Sequence, residues 1–134
     1  MRDDAGHWVA WSKIGGIGAA RLRRLWEYFG DLAVAWQAGA PELVRAGLDA
    51  RTVEAALAQR PRLQPEAERE HLERAGVDLV TVADAHYPAL LRPLEGSPAC
   101  LHVRGSLQPE DEIALAVVVL ACVAWLGILD PAAP

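Results

Sequence analysis

The stretch that decides the reading of this chain is residues 14–30, IGGIGAARLRRLWEYFG. Within it Leu22, Leu25, Trp26 and Phe29 recur at i, i+3, i+4 and i+7, which gathers four apolar side chains into one stripe of a helix running from Ala19 to Phe29. Gly30 stands where such a helix stops. The corner in front of it carries Gly15, Gly16 and Gly18 around a single Ile17.

Gly16 and Gly18 allow backbone angles closed to other residues and let the chain approach a phosphate closely, while Ile17 fills the space between two helices. This is the pattern of a helix-hairpin-helix unit. Exposed backbone N–H groups and the positive end of the following helix can hold one DNA phosphate without reading any base. Lys13, Arg21 and Arg24 add positive charge, so the candidate nucleic-acid-binding set is Lys13, Gly16, Ile17, Gly18, Arg21 and Arg24. The competing reading is a plain helix-to-helix turn whose arginines form a solvated face.

Working outward, a short helix is expected from His7 to Ile14, entered after Asp3 or Asp4. Asp31 caps a helix through Gln37, Gly39 breaks it, and Pro41 opens a segment ending at Gly47. Asp49 caps the next helix, with Val53, Ala56 and Leu57 on one side, which stops at Pro61. Another runs from Pro65 to Ala75 and closes at Gly76. Ala46-Gly47-Leu48-Asp49 reads as a weaker copy of the glycine corner, in which Asp49 replaces the second glycine and repels a phosphate.

The periodicity changes at Val77. Val77, Leu79, Thr81 and Val82 suggest a strand, Asp84 to Pro88 a turn, and Leu101 and Val103 a second strand ended by Gly105. Beyond a polar loop, Ile113 to Leu129 is almost continuously apolar, and its first half looks like a buried parallel strand. The expected fold class is α+β, mainly α. The apolar run is 17 residues long, at the lower limit of the roughly 17 to 25 that span a membrane. Asp111, Glu112 and Asp130 flank it without a Lys or Arg anchor, so insertion is not expected.

A composition 52% hydrophobic supports a folded core. The net charge of −5 excludes a protein that coats nucleic acid by bulk electrostatics. Residues 1–30 nevertheless carry five cations against three acids, so any nucleic-acid contact is expected near the start. Trp8, Trp11, Trp26 and Trp36 fall at helical spacing and read as core in preference to stacking platforms. Cys100 and Cys122 read as buried, reduced thiols, and His7, His71, His86 and His102 lack metal-ligand spacing. No nucleophile motif appears; no catalytic residue, metal or cofactor is expected. The polar opening Arg2-Asp3-Asp4 lacks an apolar signal segment, which leaves a cytoplasmic location as the expectation.

Four separated pieces, in order, resemble the DNA-processing protein A (DprA/Smf) family: Trp8 to Gly18, Phe29-Gly30, Asp84-x-x-Tyr87-Pro88-x-x-Leu91, and Pro98-x-x-Leu101-x-Val103-x-Gly105. The resemblance covers about residues 7 to 118. It implies a helical, helix-hairpin-helix (SAM-like) domain over 1–75, the start of a Rossmann-like domain over 76–118 and a divergent tail over 119–134. It further implies weak binding of single-stranded DNA and hand-over to the RecA recombinase in natural transformation, the function of competence. In the family the strand resembling Ile113 to Val118 leads into a Gly-Ser/Thr-Arg phosphate-binding turn; here Val119-Leu120-Ala121 takes its place. The expectation is therefore an incomplete copy, truncated before most of the Rossmann-like domain. The alternatives are a helical protein-interaction module that does not bind DNA, or a nonfunctional remnant.

Overall fold

Helix α1, Ala5–Ser12, is almost wholly interior: Ala5, Gly6, Trp8, Val9, Ala10 and Trp11 are all buried in the computed structural model, which describes residues 1–106 and 108. Both indole N–H groups find acceptors, as buried tryptophans require. Trp8 Nε1 donates to Asp4 Oδ2 at 3.0 Å and Trp11 Nε1 donates to the Leu32 carbonyl at 3.2 Å. Asp4 stands at the N-cap position but does not cap with its side chain; the carboxylate is taken by Trp8 and Arg2. The helix begins two residues earlier and ends two residues earlier than the expected His7 to Ile14.

Helix α2, Ala19–Phe29, has the expected bounds, with Leu22 and Leu25 buried and Trp26 and Phe29 packed partly buried on the same core. Asp31 caps α3, Leu32–Gln37, by accepting from the Ala33 amide at 2.7 Å. Helix α4, Ala40–Arg45, is opened by Gly39, whose amide donates to Glu42. Asp49 caps α5, Ala50–Gln59, through the Thr52 amide at 2.9 Å. A 3-10 turn, Arg60–Arg62, leads to α6, Pro65–Ala75, closed by Gly76. Arg60 reaches back to donate to the Trp36 and Ala38 carbonyls and sits 5.7 Å from the centre of the Trp11 ring. It thereby satisfies acceptors at the end of α3 that the helix leaves unpaired.

Helix α6 crosses α1 at very short range. A β carbon at Gly6 would lie 1.9 Å from the Pro65 carbonyl oxygen, so only glycine fits there. Val77 follows α6, and strands β1, Asp78–Thr81, and β2, Cys100–Val103, pair antiparallel with Asp78 opposite Val103 and Thr81 opposite Cys100. One hydrophobic core continues from α1 into this sheet. The link between the strands is pinned by side chains. Tyr87 is buried and donates from its hydroxyl to the Pro98 carbonyl at 2.7 Å. Arg92 donates to the Val82 and Asp84 carbonyls and lies over the Tyr87 ring. Asp84 accepts from the Thr81 amide and hydroxyl and from Arg2.

The described residues thus form a mainly helical α+β fold, as the periodicities indicated. Trp8 and Trp11 are fully buried and Trp26 and Trp36 pack against them, so the tryptophans belong to the core. Cys100 is unpaired and only partly buried, and that burial pushes its thiol pKa up. Cys122, the strand expected at Ile113 to Val118 and the tail over 119–134 lie outside the described residues. Among the described residues, no helix is long and apolar enough to cross a membrane.

Gly6→Ala is expected to destabilise the chain by roughly 1–3 kcal/mol, the usual range for overpacking, although alanine normally favours a helix by about 1 kcal/mol. Urea denaturation reads this directly; a stabilised variant would show that α1 and α6 are not in such close contact. A second expectation concerns acid. Burial raises the Asp84 pKa, but the Thr81 amide and hydroxyl and Arg2 outweigh it and hold the carboxyl below its ordinary 3.8. A depressed pKa stabilises the fold above the unfolded value, and that contribution is lost as pH falls through the folded one. Stability measured below about pH 4 should therefore drop more steeply in the wild type than in Asp84→Asn, and parallel curves would contradict the assignment.

Candidate anion-binding site

The corner after α1 is built by one positive backbone angle and one buried side chain. Gly16 has φ +89°, and the chain folds back so that the Ile17 amide donates to the Ile14 carbonyl at 3.0 Å. Ile14 and Ile17 are both buried, which anchors the corner to the core. Gly18 is extended and starts α2, with its carbonyl accepting from Leu22. The Ile17 amide is consequently used internally. Gly15 donates to Gln59 Oε1 at 3.2 Å. Among the described residues, the Gly16 and Gly18 amides make no hydrogen bond, both glycines are exposed, and no side chain caps α2.

A second corner repeats the shape of the first, except that its Gly47 amide donates to the Val44 carbonyl at 2.9 Å. Gly47 has φ +92° as Gly16 has +89°, and Leu48 is buried as Ile17 is. Asp49 is extended at the N-cap of α5, as Gly18 is at that of α2. Val53 and Ala56 are buried on α5 as Leu22 and Leu25 are on α2. The two corners lie side by side, each against the other's helix: a Gly16 β carbon would stand 3.4 Å from Thr52 Oγ1, and a Gly47 β carbon 3.7 Å from Arg24 Cδ.

Between them lies an open depression of about 590 Å³ lined by Gly15, Gly16, Arg21, Asp49, Arg51 and Gln59, among others. Arg21 spans it, donating from Nη1 to the Gly16 carbonyl at 2.9 Å and from Nη2 to Asp49 Oδ2 at 2.5 Å. The remaining Asp49 oxygen accepts from the Thr52 amide. That bond and then the Thr52 side chain hold the Asp49 carboxyl below its ordinary pKa against the opposing effect of desolvation, with Arg21 adding smaller contributions in the same lowering direction. Asp49 is thus an anion at physiological pH.

The structure brings together Gly16, Gly18 and Arg21 at one corner, with Arg24 exposed one turn further along α2. Among the described residues, Arg24 has no ion-pair or hydrogen-bond partner. Ile17 supports the corner from inside the core. Lys13 points elsewhere: its Nζ lies 2.6 and 2.7 Å from the two carboxylate oxygens of Glu68, which ties α1 to α6. Arg51, Thr52 and Gln59 are additional site residues absent from the sequence reading. Laying the Gly47 corner over the Gly16 corner would have found Arg51 and Thr52, because both sit in the first turn after the cap. Chemically, unbonded amides ahead of a cationic helix form a receptor for an oxyanion.

No family model matches the chain, and no solved structure matches it. It is similar to Protein Smf of Synechocystis sp., with 30% identity over 106 residues, 78% of this chain and 27% of that protein. The chain therefore spans about a quarter of the length of the curated relative it matches.

The two glycines flanking Ile17 should respond differently to substitution. Gly16→Ala forces a side chain into the left-handed region and is expected to cost about 1–2 kcal/mol. Gly18→Ser keeps φ −90°, meets open space and supplies a better cap, so stability should hold or rise by a few tenths of a kcal/mol. Equal losses in urea denaturation would mean that the corner is not shaped as described.

Proposed function

The chain belongs to the DprA/Smf family, and on that footing we propose that it is a DNA-processing protein of that type, which binds single-stranded DNA and passes it to the RecA recombinase in natural transformation. In this reading it acts in the cytoplasm as a binding protein and not as an enzyme. The helical region works as a helix-hairpin-helix (SAM-like) unit, and β1 and β2 are the first strands of a Rossmann-like domain. One backbone phosphate is held by the amides of Gly16 and Gly18, with Arg21 and Arg24 supplying charge. The observation that carries this is the pair of exposed, unbonded glycine amides ahead of the cationic face of α2.

A phosphate-backbone contact carries no base preference, and it has a salt signature. Affinity for an oligothymidylate, measured by fluorescence anisotropy, should fall linearly in log–log form with a slope of roughly −0.7 per phosphate neutralised. Arg21→Glu combined with Arg24→Glu should weaken binding more than tenfold, about 1.4 kcal/mol, with the thermal melt as the folding control. Unchanged binding in that variant removes these residues as the site. A protein-interaction module is the second reading, and it is favoured by one observation: Lys13 and Arg21 are already engaged by Glu68 and Asp49. No DNA binding at low salt, together with a defined oligomer in solution, would select it.

A further inference from the structure

We propose that Asp49 is a built-in competitor for phosphate: it silences the second glycine corner and restrains Arg21 of the first, so that a fold with two corners of similar shape offers one working backbone site. The inference rests on the DNA-binding reading above and adds to it how the site is limited. Its basis is an anion already bound. At the start of α5 the Asp49 carboxylate accepts from the Thr52 amide at 2.9 Å, which is the kind of bond that the free amides at the start of α2 offer to a ligand. Its second oxygen takes Arg21, a cation that belongs to the other corner.

The second corner keeps the shape of the first, although its Gly47 amide donates to the Val44 carbonyl at 2.9 Å, so that among the described residues the unbonded corner amide is that of Asp49. It has the positive φ at Gly47, the buried Leu48, and an exposed Arg51 in the first turn of α5 that has no ion-pair or hydrogen-bond partner among the described residues. Arg24 lies beside Gly47. At the cap itself a carboxylate stands where the first corner has Gly18, and in the next turn Arg51 and Thr52 stand where the first corner has Ala20 and Arg21. Both partners of the Arg21–Asp49 pair are substantially exposed, with side-chain exposures of 40% and 51%, so water and salt screen the pair and a phosphate can displace the carboxylate from Arg21. Displacement leaves Asp49 negative next to the incoming ligand, which weakens the first site and excludes a phosphate from the second.

Asp49→Asn tests this in the full chain because asparagine caps a helix as well as aspartate does, so the charge is removed while the Thr52 bond and α5 are kept. Binding of an oligothymidylate is measured over a range of salt for the wild type, Asp49→Asn, Asp49→Asn with Arg51→Gln, and Glu95→Gln, which removes one exposed acid elsewhere. Asp49→Asn should bind about five- to tenfold more tightly at moderate salt and steepen the salt slope by about 0.7, one further phosphate on a single strand. Adding Arg51→Gln should remove the extra slope, and Glu95→Gln should change little. If the wild type binds but Asp49→Asn leaves affinity and slope unchanged, or Glu95→Gln gains as much, the competitor role is overturned while the DNA-binding reading stands. If neither the wild type nor Asp49→Asn binds at low salt, both fall.

Discussion

The placement of everything else depends on how closely α6 lies across α1. At Gly6 no side chain is admitted, and of the rest of α1 all but His7 and Ser12 is buried, so this helix has no freedom to rotate or slide. Lys13 and Glu68 join the same two helices near the other end of α1. The exit of α1 into the glycine corner is consequently fixed in position. Gln59, at the end of α5, holds the first residue of that corner through the Gly15 amide. A site that works by presenting backbone hydrogens needs such a rigid mount, since main-chain groups cannot change rotamer to meet a ligand.

The two corners share a construction in which a glycine with positive φ reverses the chain and the following aliphatic side chain is buried beneath it. Ile17 and Leu48 are buried beneath the two corners, and Gly15, Gly16 and Asp49 line the depression beside them. The corners are separated by the Gly47 amide, which is bonded to Val44 where that of Gly16 is unbonded among the described residues, and by charge. One has a glycine at the helix start and the other a carboxylate, which reaches across to the arginine of its neighbour. A chain with net charge −5 thus keeps a local cationic surface, and one acid placed within it modulates that surface.

Where a single local cause determines structure, the element is legible in the sequence. The stripe of Leu22, Leu25, Trp26 and Phe29 and the stop at Gly30 delimit α2, and Pro65 and Gly76 delimit α6. Asp31 and Asp49 cap the helices that follow them because each is an aspartate directly before a helical segment. The bounds of α1 were less legible, since a helix apolar on nearly every face has no stripe to mark its phase, and Asp4 spends its carboxylate on Trp8 and Arg2. The partners of the candidate cations were not legible at all. Glu68 lies 55 residues from Lys13 and Asp49 lies 28 from Arg21, contacts that only the packing of the helices creates. Asp49 reads from sequence as a residue that repels phosphate, whereas its hold on Arg21 follows from the side-by-side placement of the corners.

The central claim is that main-chain hydrogens of the first corner receive an oxyanion. Titrating nitrogen-15-labelled protein with an oligothymidylate and following the amide signals residue by residue tests it most directly. The account predicts saturable shifts at Gly16, Gly18 and the first residues of α2, with the internally bonded Ile17 amide moving least. Shifts confined to other surfaces, or none at concentrations where binding is seen by other means, would contradict it.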